Sequence, residues 1–232
     1  MLGIIGAMEE EVSALKEKMQ IETTMKCASM EFCQGTLEGK KVVVVRSGIG
    51  KVNAAICAQI LVDRFQVDAI INTGIAGSLR AEINIGDIVL SSDTMQHDMD
   101  ATGFGYRFGE IPRMETSEFE ADTKLIQLAE ECCKRVNPEI EVHIGRVVSG
   151  DQFISNRHDK EWIIKYFGGY CTEMEGAAIA QVGYLNQVPF LIVRAISDKA
   201  DNSAKMDYAE FEKQAIIHSV NLIVEMVKNL AS

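Results

Sequence analysis

The stretch Gly3-Ile4-Ile5-Gly6-Ala7-Met8-Glu9-Glu10-Glu11-Val12 decides the reading of this chain. A short apolar run stops at Gly6, and three carboxylates follow at once. A buried strand gives way to a helix in this manner in α/β sheets, and ligands bind at the carboxyl ends of such strands. Glu9 and Glu10 read as an acidic first turn facing the positive end of the helix dipole. Glu11 reads differently. Turned inward at a strand end, a carboxylate faces the ligand crevice, where loss of water raises its pKa and suits it to general-base work near neutral pH.

Outward from this segment, strands and helices alternate. Phe32 to Leu37 and Lys41 to Ser47 read as a hairpin turning at Glu38-Gly39-Lys40, and Val42-Val43-Val44-Val45 suits a strand covered on both faces. Helical periodicity runs from Val52 to Phe65 and from Asp122 to Val136. Ala69 to Thr73 reads as a buried strand ended by Gly74, with further strands at Asp87 to Ser91, Val142 to Ser149 and Phe190 to Ile196. Glu175 to Leu185 reads as a small-residue helix. Asp207, with Glu210 three residues on, opens a long closing helix to Leu230 in the pattern of a capping box. With no repeat or linker, the expectation is one domain, 1–232, three-layered α/β/α around a mixed, mostly parallel sheet. Thr94 to Phe119 has no period and is rich in aromatics, which marks it as a lid or as an arm gripping a second subunit.

Bulk properties narrow the function. The chain has 232 residues, 47% of them hydrophobic, and a net charge of −11. That charge argues against tracking nucleic-acid phosphates or an anionic membrane surface. The expected partner is a small molecule. Cys27, Cys33, Cys57, Cys132, Cys133 and Cys171 lack metal-ligand spacing and read as free thiols in a reducing cytoplasm. The N-terminus has no basic segment of the kind that opens a signal peptide, and no apolar run approaches the ~18 residues of a membrane span.

Ser47-Gly48-Ile49-Gly50-Lys51 and Asn72-Thr73-Gly74-Ile75-Ala76-Gly77 are glycine turns at strand ends, and neither is a phosphate-binding or dinucleotide fingerprint. Lys51 reads as a solvated helix residue. Thr172-Glu173-Met174-Glu175 and Ser197-Asp198 add carboxylates at two more strand ends. Glu11, Glu175 and Asp198 thus converge on one crevice, which points to a hydrolase or transferase for a small polar ligand. His97-Asp98-Met99-Asp100 has too few ligands for a metal site and reads as a solvated or capping loop. Trp162 reads as packing.

At these motifs the chain closely resembles the bacterial methylthioadenosine/S-adenosylhomocysteine nucleosidases, within the purine nucleoside phosphorylase superfamily. The resemblance runs from end to end through Gly3–Val12, Ser47–Val52, Ile71–Gly77, His97–Pro112, Val148–Ile154, Glu173–Ala180 and Val188–Asp198. It implies hydrolysis of the N-glycosidic bond of a 5′-thio-substituted adenosine, a homodimer, and no metal or organic cofactor. By the same resemblance Glu11 activates water and Asp198 protonates adenine N7. Glu175 holds the ribose hydroxyls, Met174 touches the sugar, Phe153 stacks on adenine, and the Ile154 backbone meets its Watson–Crick edge. Arg194 supports Glu175 and the water. Met8, Ile49, Tyr208 and a second subunit's Phe104 line the alkylthio pocket, while Ile75, Ala76, Gly77, Glu173 and Ser197 complete the substrate-binding set. Three positions depart from the pattern. Ile75 stands where the family often has Ser, Thr172 where an apolar residue is usual, and Gly176 where Ala is common.

Three other readings compete. A phosphorylase of the same superfamily carries Arg where this chain has Asn72, and Glu11 would repel phosphate. A hydrolase of another adenosine derivative, such as aminodeoxyfutalosine, shares the same chemistry. A non-catalytic nucleoside-binding protein is expected to lack Glu11 or Asp198.

Overall fold

Ile4 and Ile5 pair in parallel with Val44 and Val45, and all four side chains are fully buried. Branched apolar side chains on both faces of a strand require cover on both sides. These strands form the middle of the protein, described over residues 1–230 by a computed structural model. The last positions of the expected 1–232 domain lie outside the described residues. In chain order the elements are β1 (Leu2–Gly6), α1 (Glu9–Lys18), β2 (Gln20–Cys27), β3 (Met30–Leu37), β4 (Lys40–Arg46), α2 (Lys51–Phe65), β5 (Ala69–Ser78) and β6 (Ile88–Gln96). After a short 3-10 turn at Thr102–Phe104 come β7 (Phe119–Glu120), α3 (Thr123–Val136), β8 (Val142–Ser149), α4 (Arg157–Phe167), β9 (Cys171–Glu173), α5 (Gly176–Asn186), β10 (Phe190–Asp198) and α6 (Ala204–Asn229).

The strands form one sheet in the order β10-β6-β8-β9-β5-β1-β4-β3-β2, with β7 attached to β6. An additional pairing of β10 with β5 closes β5, β10, β6, β8 and β9 into a ring at one end. Helices α1, α3 and α6 pack together on one side, and α2 and α5 on the other. The sheet is mixed, as expected, but its pairings are not weighted to parallel. Five are parallel and five antiparallel.

Strand β2 has no counterpart in the sequence reading. It is a largely exposed edge strand of polar composition, so no alternation marks it. Its turn into β3 uses Ala28 and Ser29 at φ 50° and 61° instead of the Asn-Gly that signals such hairpins. Strand β5 does not stop at Thr73 but runs through Gly74 to Ser78, for a reason that lies in the site. Helix α6 begins at Ala204, before the expected Asp207. Asp201 accepts from the Ser203 backbone and hydroxyl, at 3.0 and 2.9 Å, and this turn starts the helix early.

A second, smaller apolar cluster lies under α4 and joins Leu79, Met95, Val148, Ile154, Ile163 and Phe167. Trp162 packs on it, as expected. Phe108, from the aperiodic stretch, meets the Trp162 and Tyr166 rings edge-on at 5.1 and 4.9 Å. That stretch is therefore part strand, part anchored loop. All six cysteines are free thiols, five of them buried. Among the described residues no helix is long and apolar enough to cross a membrane.

Candidate active site

The segments leaving β1, β5, β9 and β10 meet around a cavity of about 500 Å³. Glu11 enters it from the first turn of α1. One carboxylate oxygen, Oε2, accepts from the Ala7 and Met8 backbone N–H groups at 2.7 and 3.0 Å, and Oε1 accepts from Ile75 N–H at 3.2 Å. Glu11 therefore caps its own helix and faces the ligand space with one side chain. Burial pushes its pKa up, against the charge of Arg194 and these three amides. The strand beside it has to be bare. A Cβ on Gly74 would lie 2.7 Å from Glu11 Oε1, and one on Gly77 would lie 2.7 Å from Asp198 Oδ1. Both glycines stay within β5 because two carboxylates approach its backbone, so they are not strand terminators.

Asp198 ends β10. Its Oδ1 accepts from Ala200 N–H at 2.8 Å, and Oδ2 accepts from the Ser197 hydroxyl at 2.9 Å. Burial raises its pKa against both bonds. A carboxyl group set this way is easier to protonate than an ordinary aspartate.

Between the two lies a buried carboxylate pair. Arg194 is fully buried and donates to Glu173 through two nitrogens, Nε at 3.2 Å and Nη2, and also to Asn72 Oδ1. Among the described residues Arg194 makes no hydrogen bond to Glu175 and acts on it through its charge and through Glu173. The ion pair is with Glu173, whose side chain is as dry as that of Arg194, and two such charges persist together only when paired. Glu173 also accepts from the amides of Glu175 and Gly176 at 3.1 and 2.7 Å and from the Ser149 hydroxyl. Gly176 suits this arrangement, since a Cβ there would meet Ile192 at 2.8 Å and the Glu173 carboxylate at 3.2 Å. Glu175 accepts from Gly50 N–H at 2.8 Å. Burial, then the charge of Glu173, pushes its pKa up to about 8. The proton is therefore held more tightly by Glu175 than by an ordinary glutamate.

Met8, Ile49, Phe153, Met174 and Tyr208 supply apolar walls, and Ile75, Ala76, Gly77 and Ser197 also line the cavity. Ile154 lies in a narrow extension beside Gly77, Thr172 and Asp198. Phe104 is 88% exposed and lies away from the cavity of its own chain. The sequence reading missed Ala7, Lys205 and a wall position for Thr172. Ala7 could have been found from its place beside the strand end. Lys205 gave no signal, because α6 was expected to begin beyond it. The Thr172 hydroxyl is buried without a hydrogen-bond partner among the described residues. Lys51 and Asp98, read as solvated, instead form a half-buried ion pair at 2.5 Å, while Asp100 caps the Thr102 turn at 2.9 Å.

Fold and cavity together define an α/β protein of nucleoside phosphorylase type. The chain belongs to the phosphorylase superfamily, whose family model matches residues 1–228. It is 42% identical over 228 residues, 98% of each chain, to the 5′-methylthioadenosine/S-adenosylhomocysteine nucleosidase of Bacillus pumilus. Its structure is similar to that of the nucleosidase of the same description from Neisseria meningitidis in complex with methylthio-immucillin-A. The TM-score is 0.94 and the identity 38%, over 99% of each chain. It is also similar to futalosine hydrolase of Helicobacter pylori, at TM-score 0.93 and 31% identity over 99% of this chain and 97% of that one.

Proposed function

We propose that this protein hydrolyses the N-glycosidic bond of 5′-methylthioadenosine and S-adenosylhomocysteine, and of 5′-deoxyadenosine, in the cytoplasm, releasing adenine and the 5′-substituted ribose. The carrying observation is Glu11, a buried carboxylate pinned by three backbone amides and facing the cavity. An anion fixed there repels phosphate and accepts a proton from water.

The chemistry follows the two-carboxylate logic of inverting glycoside hydrolysis, with nitrogen as the leaving atom. Adenine leaves poorly as an anion. Asp198 is the general acid: burial favours its protonated form, and it delivers that proton to N7 as the C1′–N9 bond breaks. The ribose becomes oxocarbenium-like. Glu175 hydrogen-bonds the 2′- and 3′-hydroxyls and holds the sugar in place as positive charge grows on it. Water adds to C1′ on the opposite face and loses a proton to Glu11. Arg194 acts here through its ion pair. It holds Glu173, which in turn holds the amides of Glu175 and Gly176.

Phosphorolysis requires cations at the strand ends. Asn72 is committed to Ile5 O at 2.9 Å and to Arg194, and Arg194 is committed to Glu173. Two chains are proposed to assemble with the Thr94–Phe119 stretch of each reaching the other's cavity, so that Phe104 of the partner subunit covers the alkylthio group. The deciding experiment is incubation with methylthioadenosine with and without phosphate. Adenine and free methylthioribose in the absence of phosphate support the proposal. Strict phosphate dependence defeats it, and inertness toward methylthioadenosine with turnover of an aminodeoxyfutalosine substrate moves the activity to the neighbouring class.

A further inference from the structure

Two features of the sequence find no place in this mechanism: Lys51, and the His97–Asp100 segment. Both meet at the loop between β8 and α4. That loop, residues 150–156, carries Phe153 and Ile154, the expected contacts to the base. Among the described residues, positions 152–155 make no hydrogen bond to the rest of the chain. Ile154 packs in the cluster under α4 and Phe153 meets the Tyr208 ring edge-on, so the loop's polar anchors are the residues on either side. The C-terminal anchor is ordinary. Asn156 caps α4 by accepting from Asp159 N–H at 2.9 Å.

The N-terminal anchor is a closed ring of three residues from three distant motifs. Lys51 N–H donates to Asp151 Oδ1 at 2.8 Å. Asp151 N–H donates to Asp98 Oδ2 at 2.9 Å. The Lys51 ammonium donates to Asp98 Oδ1 at 2.5 Å and to Gln96 Oε1 at 3.0 Å. Gln96 in turn donates to Gln181 on α5 at 2.6 Å. The ring is sheltered, with the Lys51 and Asp98 side chains 18% and 19% exposed. Burial works against the charge of Asp98, but Lys51 and the Asp151 amide outweigh it and hold the carboxyl below the usual range. Charge-assisted bonds of this kind are short and roughly twice as strong as neutral ones. The residue before Lys51 is Gly50, whose N–H holds Glu175, so the start of α2 is tied to both the ribose carboxylate and the base loop.

We propose that the Lys51–Asp98–Asp151 ring is a positioning clamp that sets the height of Phe153 and Ile154 over the cavity, and so governs affinity for the purine base without touching substrate. The assignment rests on the nucleosidase reading for the identity of the base. Lys51, Asp98 and Asp151 are positioning residues. Among the described residues neither Glu11 nor Asp198 hydrogen-bonds to Lys51, Asp98 or Asp151, so chemistry and base affinity are separable.

The test uses the full chain carrying Lys51→Met, Asp98→Asn, both together, or Lys51→Arg. Adenine affinity is measured by calorimetry, alongside turnover on methylthioadenosine and amide exchange over 150–156. In each single variant the adenine Kd and the KM rise by about tenfold, the scale of one lost charge-assisted bond. The turnover number stays within about threefold, because the interaction lost is one made equally in ground and transition states. Exchange at the Asp151 amide speeds up, as expected when a local closing bond is removed. The double variant is no worse than the poorer single one, since either change opens the same ring, and Lys51→Arg restores most of the affinity. Should Lys51→Met fail to fold, Lys51→Gln carries the comparison. Unchanged adenine affinity and exchange in a folded variant overturn the clamp, as does a fall in turnover number with adenine affinity intact. Adenine binding and amide exchange need no turnover. A protein whose clamp responds as expected but which releases no adenine from methylthioadenosine refutes the functional proposal alone.

Discussion

At the scale of single residues, the site separates proton chemistry from packing. Glu11→Gln keeps the shape and the acceptor for Ala7 and Met8 N–H, gives up the acceptor for Ile75 N–H, and removes the basic lone pair. Turnover of methylthioadenosine should fall by ~10²–10⁴, the range for general-base loss, with binding of an adenosine analogue retained. Turnover within a few-fold of the unsubstituted protein would mean that another group activates water. Asp198→Asn still hydrogen-bonds N7 but delivers no proton, so the same loss of turnover with binding preserved is expected. Thr172 offers the opposite experiment. Its buried hydroxyl has no partner among the described residues, and such a group costs about 1–3 kcal/mol. Thr172→Val should therefore raise Tm by about 2–4 °C per kcal/mol recovered and leave adenine affinity unchanged. A drop in affinity would show that the hydroxyl turns toward the bound base.

At the scale of elements, the carboxylate pair at the junction of β9 and α5 sets a pH dependence. The folded-state pKa of Glu175, about 8, lies above its ordinary value of 4.5. The folded chain thus binds this proton more tightly than the unfolded chain does. The stabilisation is complete below 4.5 and is lost as the pH rises through about 8. Glu175→Gln keeps an acceptor for Gly50 N–H and does not titrate. In thermal melts at fixed ionic strength, the Tm of the variant relative to the parent should climb between those pH values, while activity falls for want of a ribose carboxylate. A constant difference across that range would mean that Glu175 is already ionised at the low end of it.

At the scale of the whole molecule, the exposed Phe104 ring finds its role in the proposed second copy of the chain. Phe104→Ala should raise KM for methylthioadenosine while leaving adenine affinity nearly unchanged, because the adenine end of the cavity is built within one chain. Sedimentation fixes the oligomeric state. A folded monomeric variant with full activity would dispose of the arm.

Much of this protein is legible in its sequence. Continuous Ile and Val runs set the central strands, because their side chains need cover on two faces wherever they lie. Glycine turns followed by Glu11, Glu175 and Asp198 mark the strand ends, because chain direction alone sends those ends to one crevice. Other features were decided by tertiary structure. Gly74 and Gly77 look like strand terminators until the carboxylates of Glu11 and Asp198 are seen to press on β5. Arg194 could serve either neighbouring glutamate, and only the buried geometry selects Glu173. Lys51, Asp98 and Asp151 lie 47 and 53 positions apart, and nothing in the local pattern of any one of them points to the other two. Local pattern reports which way a side chain faces, but it does not report which distant charge will meet it there, since that partner is chosen by the desolvation both must survive.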